Sequence, residues 1–111
     1  MTNIEIYYNE NSKIQKVIVS GHSNYAEKDD IVCASISSIT QTALLGLLNV
    51  VCLEIDYVVE DGYLSFEVPD NLDYENQIRV DAILSTMKEG LIDIESGYKK
   101  FVKLEEKYNV Y

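Results

Sequence analysis

Tyr57-Val58-Val59-Glu60-Asp61-Gly62-Tyr63-Leu64-Ser65-Phe66-Glu67-Val68 is the stretch on which the fold turns. An aromatic and two β-branched residues run toward Asp61-Gly62, after which Leu64, Phe66 and Val68 alternate with Ser65 and Glu67. Asp-Gly supplies the positive φ angles of a tight type I′ turn, and a period of two buries one face of a strand. The segment is predicted to be an antiparallel hairpin, closed by Pro69.

On either side of this hairpin the period changes. Upstream, Val32, Ile36, Ile39, Ala43, Leu47 and Val50 recur at steps of three or four, which places them on one face of a helix ending near Cys52. Asp30 stands where its carboxylate would cap the first turn. Downstream, Val80, Leu84, Met87, Leu91, Ile94, Tyr98 and Phe101 predict a long amphipathic helix. Unbroken over residues 73–108 it would span roughly 50 Å at 1.5 Å per residue, so it must break or protrude. Gly90 and Gly97 lie seven residues apart on nearly one face, and either admit another helix, a dimer partner's included, or only weaken or end this one. At the start of the chain Ile4, Ile6 and Tyr8 alternate with Glu5 and Tyr7, a turn follows at residues 9–12, and residues 14–20 are rich in β-branched side chains: a second antiparallel hairpin over residues 3–20. The expected architecture is α+β, in the order β-β-α-β-β-α, with hairpins forming a sheet packed against two helices in a single domain, residues 1–111.

With 111 residues, 47% hydrophobic and 25% charged, the chain can build one modest core. Nineteen acidic against nine basic residues give a net charge of −10. Direct nucleic-acid binding is therefore not expected, since phosphate contacts need clustered Lys and Arg; a basic protein partner would instead be attracted. Gly46 and Asn49 interrupt the most apolar stretch, residues 43–53, so no membrane span is expected. The first residues lack the basic flank and apolar run of a signal peptide, and a cytoplasmic location is expected. In that compartment Cys33 and Cys52 are expected as reduced thiols, with Cys52, between Val51 and Leu53, in the core. One histidine and two distant cysteines offer no zinc spacing, and no metal is expected. The acidic runs Asp70-Asp73-Glu75 and Glu105-Glu106 read as helix-terminal and solvated charge.

Counting from Asp30 as cap, Cys33 falls in the first helical turn. The helix dipole and unpaired N–H groups favour a thiolate there, and the same N–H groups could meet the oxyanion formed on attack at a peptide carbonyl. His22, the only histidine, follows Gly21 at the end of the second strand, on a loop that must return to this helix. Asp29 and Asp30 would oppose a thiolate if aimed at sulfur and support an imidazolium if aimed at His22. From these residues alone two readings stand: a Cys–His dyad, or a small packed cysteine beside a solvated histidine.

The segment Gly21-His22-Ser23-Asn24-Tyr25-Ala26-Glu27-Lys28-Asp29-Asp30-Ile31-Val32-Cys33-Ala34-Ser35-Ile36-Ser37 resembles the ribosomal-processing cysteine protease family, Prp. In that family a Gly-His pair precedes a flexible, glycine-containing loop, an Asp-Ile-Val-Cys-Ala run and a nearby serine. The resemblance implies Cys33 as nucleophile, His22 as general base and Asp30 as an orienting or capping residue; Ser23 and Tyr25 are substrate-loop candidates, with ordinary packing the alternative for Tyr25. It further implies a homodimer that needs no cofactor and removes the N-terminal extension of bacterial large-subunit ribosomal protein twenty-seven. This chain departs from the pattern in two ways: its loop is one residue shorter and lacks the glycine, and Ser23 replaces the usual alanine. The alternative is a non-enzymatic acidic module that binds a basic ribosomal protein during assembly.

Overall fold

In the computed structural model, which describes residues 1–28 and 30–109, five strands form one sheet with two helices on one face. The hairpin at residues 3–20 is β1 (Thr2–Tyr8) and β2 (Ile14–Ser20), paired antiparallel with a bulge at Tyr7/Tyr8. The Asp61-Gly62 hairpin is β3 (Asp56–Glu60) and β4 (Tyr63–Glu67). Gly62 has φ +71°, as the turn requires. β4 pairs with β2, so the two hairpins share one sheet.

The first helix, α1 (Ile31–Leu45), passes into a π turn at Gly46–Val50. The stretch Ile31–Val50 is long and apolar enough, by length and composition, to cross a membrane. Val32, Ile36, Ala43, Leu44 and Leu47 are nevertheless buried against the sheet, as expected of a core helix. The second helix, α2 (Tyr74–Gly97), is capped by Asp73, which accepts the Asn76 N–H at 2.8 Å, and buries Val80, Leu84, Met87 and Leu91.

The predicted order is one element short. The second helix does not run toward residue 108 but stops at Gly97. Tyr98 is its C-cap and Phe101 lies in the following turn, and β5 (Val102–Lys107) then pairs parallel with β1. The order is β-β-α-β-β-α-β, and the sheet order β3-β4-β2-β1-β5. Tyr98 and Phe101 do pack on the core, so their apolar spacing was informative. What ended the helix was the pairing of Val102 and Leu104 with Thr2 and Ile4, a contact about a hundred residues away in sequence. The Glu95 carboxylate accepts the Leu104 N–H, joining helix end to strand.

The two glycines divide between the two readings, and the expectation for Cys52 is corrected. A Cβ on Gly90 would lie 3.1 Å from Ile39 Cδ1, so Gly90 admits the chain's own α1, whereas a Cβ on Gly97 would meet nothing within 4 Å. Cys52 is exposed at φ +65°, its thiol directed at the Asn49 carbonyl (3.6 Å). The chain leaves the π turn here and must reverse toward β3, which turns this side chain out of the core.

The helix layer stops short of β3. Tyr57 and Val59 pair with Phe66 and Leu64, which are buried, yet are themselves 51% and 45% exposed. β3 is therefore a sheet edge with apolar side chains open to solvent.

Candidate active site

Two glycines fix the path into the site. Gly21 ends β2 at φ +87°, and a Cβ there would lie 2.6 Å from the Met1 carbonyl oxygen, so only glycine fits. Its N–H donates to the Gly62 carbonyl at 2.9 Å, tying the loop to the β3–β4 turn. His22 follows, with its imidazole laid over Gly62: a Cβ at residue 62 would be 2.8 Å from His22 Nε2.

The other wall is the start of α1. Asp30, the N-cap, accepts the N–H groups of Val32 and Cys33 with Oδ1, both at 3.0 Å. Its Oδ2 accepts the Ser23 hydroxyl at 2.5 Å and the Tyr25 and Ala26 N–H groups at 3.1 and 3.4 Å. One carboxylate thus starts the helix and folds the loop back over it. Burial works against its ionisation, but the Ser23 hydroxyl and the N–H groups of Cys33, Ala26 and Tyr25 outweigh it and hold its pKa down to about 2. Tyr25 adds an apolar anchor, packing edge-on against Tyr98 and Phe101 at 5.5 and 5.3 Å.

Cys33 is half-buried and His22 exposed, and both line one cavity of about 130 Å³. Among the described residues no hydrogen bond joins them. The sulfur instead receives the Ser23 N–H at 3.2 Å and lies 3.2 Å from Ser23 Oγ. The N–H groups of Val32 and Cys33, expected for an oxyanion, are already held by Asp30. Ser37 and Gln41 also line this cavity, one and two four-residue steps beyond Cys33 along α1. The arrangement brings together a thiol, an imidazole, a hydroxyl and an amide in one cleft, a set suited to acyl transfer through sulfur. No three or more His, Cys, Asp or Glu side chains among the described residues are grouped to hold a metal ion.

Residues 1–103 match the family model described as Cysteine protease Prp. The chain is 31% identical to the ribosomal processing cysteine protease Prp of Bacillus subtilis over 84 residues, 73% of this chain and 75% of the relative. The protein of the same name from Staphylococcus aureus is 31% identical over 111 residues, 96% of this chain and all of the relative. The chain belongs to the cysteine protease Prp family. The fold agrees: a crystal structure of the ribosomal processing protease Prp from S. aureus with a covalently linked product peptide superposes with a TM-score of 0.85, at 26% identity, covering 96% of this chain and 100% of that one. A second structure of that protease, with a substrate peptide, gives 0.82 at 26% identity with the same coverage. The α+β fold expected from the apolar spacing and the cysteine protease class implied by the Prp resemblance are thus both met.

Against the Prp motif, the structure sets Cys33 and His22 in one cavity and gives Asp30 the capping place expected of it. Ser23 is not a surface loop residue but is 1% exposed beneath the sulfur. Tyr25 packs on the α2–β5 junction, and Asp29 lies outside the described residues. Sequence reading did not single out Ser37 or Gln41, although their spacing from Cys33 was a usable signal. It also missed the β3–β4 turn as the surface under His22, for which no local signal exists.

Proposed function

We propose that Cys33 and His22 form a catalytic dyad that removes the N-terminal extension of large-subunit ribosomal protein twenty-seven. The observation that carries this reading is the shared cavity, which Cys33 and His22 both line. In this mechanism the sulfur leaves Ser23, surrenders its proton to His22 and attacks the substrate carbonyl as a thiolate; His22 returns the proton to the departing amine, and water hydrolyses the thioester. The Ser37 hydroxyl and Gln41 amide, both on the cavity wall, are available to the oxyanion in place of the N–H groups that Asp30 holds. No cofactor enters any step.

An extended peptide would reach the cavity along β3, whose final residues Val59 and Glu60 line it and whose outer edge is unpaired. Tyr57 and Val59 offer apolar contact, and the charge of −10 favours a basic substrate over nucleic acid. The S. aureus relative has been crystallised with substrate and product peptides, which supports a peptide in the same cleft here. The enzyme would act as a homodimer in the cytoplasm, where its thiol stays reduced.

Incubation with the extended ribosomal protein, read by mass spectrometry of the new N-terminus, tests the dyad. Cys33→Ala and His22→Ala should each lower cleavage by about a thousandfold or more. Undiminished processing by Cys33→Ala would leave only a non-enzymatic acidic module that binds the basic protein.

A further inference from the structure

Ser23 stands between the cap of α1 and the cysteine of its first turn. Its Oγ is 2.5 Å from Asp30 Oδ2 and 3.2 Å from Cys33 Sγ, with the Tyr25 N–H directed at it from 3.4 Å. A serine hydroxyl has one proton to give, and an ionised carboxylate can only accept. The proton therefore belongs to the short contact with Asp30, where the bond is charge-assisted. What Ser23 Oγ then turns toward the sulfur is a lone pair. A lone pair suits S–H and repels a thiolate, so this contact is satisfied only while Cys33 keeps its proton.

We infer that Ser23 parks the nucleophile: its hydroxyl, committed to Asp30, accepts a hydrogen bond from the Cys33 thiol and holds the sulfur in its neutral form, turned to the loop rather than to His22. This deepens the proposed function and rests on the reading of Cys33 as nucleophile. Release requires either a shift of the loop that carries Ser23 away or a proton transfer to His22. The Ser23 backbone N–H, 3.2 Å from the same sulfur, pulls the other way and favours the anion. It survives any side-chain change. The remaining groups around the cavity also stay in place: His22 from the loop, Asp30 from the cap, and Glu60, Asp61 and Tyr63 from the β3–β4 hairpin. Replacing the hydroxyl also withdraws one donor from Asp30, whose bonds from the Val32, Cys33, Tyr25 and Ala26 N–H groups remain.

The measurement is the rate of Cys33 alkylation by iodoacetamide as a function of pH, in a Cys52→Ser background because Cys52 is exposed. Ser23→Ala should move the profile to lower pH and speed alkylation on its acidic limb by about three- to tenfold, the worth of one neutral hydrogen bond. Ser23→Thr, which keeps a hydroxyl, should follow the parent. Ser23→Val has the shape of the threonine without its oxygen and repeats the comparison if the alanine variant is unstable. A Ser23→Ala profile that superposes on the parent, or moves to higher pH, overturns the proposal. This readout needs no cleavage, so it stands apart from the dyad: Cys33→Ala activity decides the protease reading, and the alkylation profile decides the parking.

Discussion

At the scale of single residues, position 62 binds the site to the fold. Gly62 meets two demands at once, a positive φ for the hairpin turn and open space beneath the His22 ring. Gly62→Ala should cost about 1–2 kcal/mol of stability, from the left-handed backbone, and displace the imidazole. A displacement near 1 Å should lower kcat/KM by about a hundredfold. Denaturant unfolding beside a peptide-cleavage assay separates the two effects, and unchanged cleavage in a folded variant would mean that the turn does not support His22. The Asp30 cap and the place of Cys33 in the first helical turn were legible in the sequence because both are local signals. The support from Gly62 was not, because it joins residues forty positions apart through a ring face. Ser23 was noticed as a departure from the family pattern, but its place under the sulfur depends on how the loop closes.

At the scale of elements, the start of α1 and the loop over it form one unit held by the Asp30 carboxylate. The folded pKa, about 2, lies below the ordinary 3.8. The stabilisation is therefore complete above about pH 4 and is lost as pH falls through about 2. Asp30→Asn, which keeps a capping oxygen but not the charge, should have the lower thermal midpoint at pH 6. The two midpoints should converge on acidification toward pH 2, as followed by circular dichroism. A gap that stays constant across this range would show that the charge contributes nothing. The hairpins and α1 were readable from local pattern, since Asp-Gly turns and three-to-four spacing need no distant partner. The end of α2 was not: residues 98–101 continue the apolar rhythm, and only pairing of Val102 with Thr2 decides that the backbone extends.

At the scale of the whole molecule, the covered face of the sheet carries the core. Where β1 and β5 meet α2, Tyr8 donates to Glu106 at 2.5 Å and accepts from Lys88 at 2.9 Å. Burial, with the Glu106 hydrogen bond, pushes the Tyr8 hydroxyl up to about 12. Glu106 is thus more than solvated charge. The homodimer proposal rests on family resemblance, since Gly90 is already filled by Ile39 of the same chain. Sedimentation should give about twice the 12.6 kDa chain mass, and a species that remains at 12.6 kDa at all concentrations would remove it. The parallel pairing of β5 with β1 has a consequence for birth of the molecule on the ribosome. Most of the sheet can assemble as the chain emerges, but Tyr98 and Phe101, on which Tyr25 rests, and the strand beside Thr2 arrive last. The packing that anchors Tyr25, and with it the loop over Cys33, is therefore complete only once β5 has joined β1, a pairing of high sequence separation that forms late in folding.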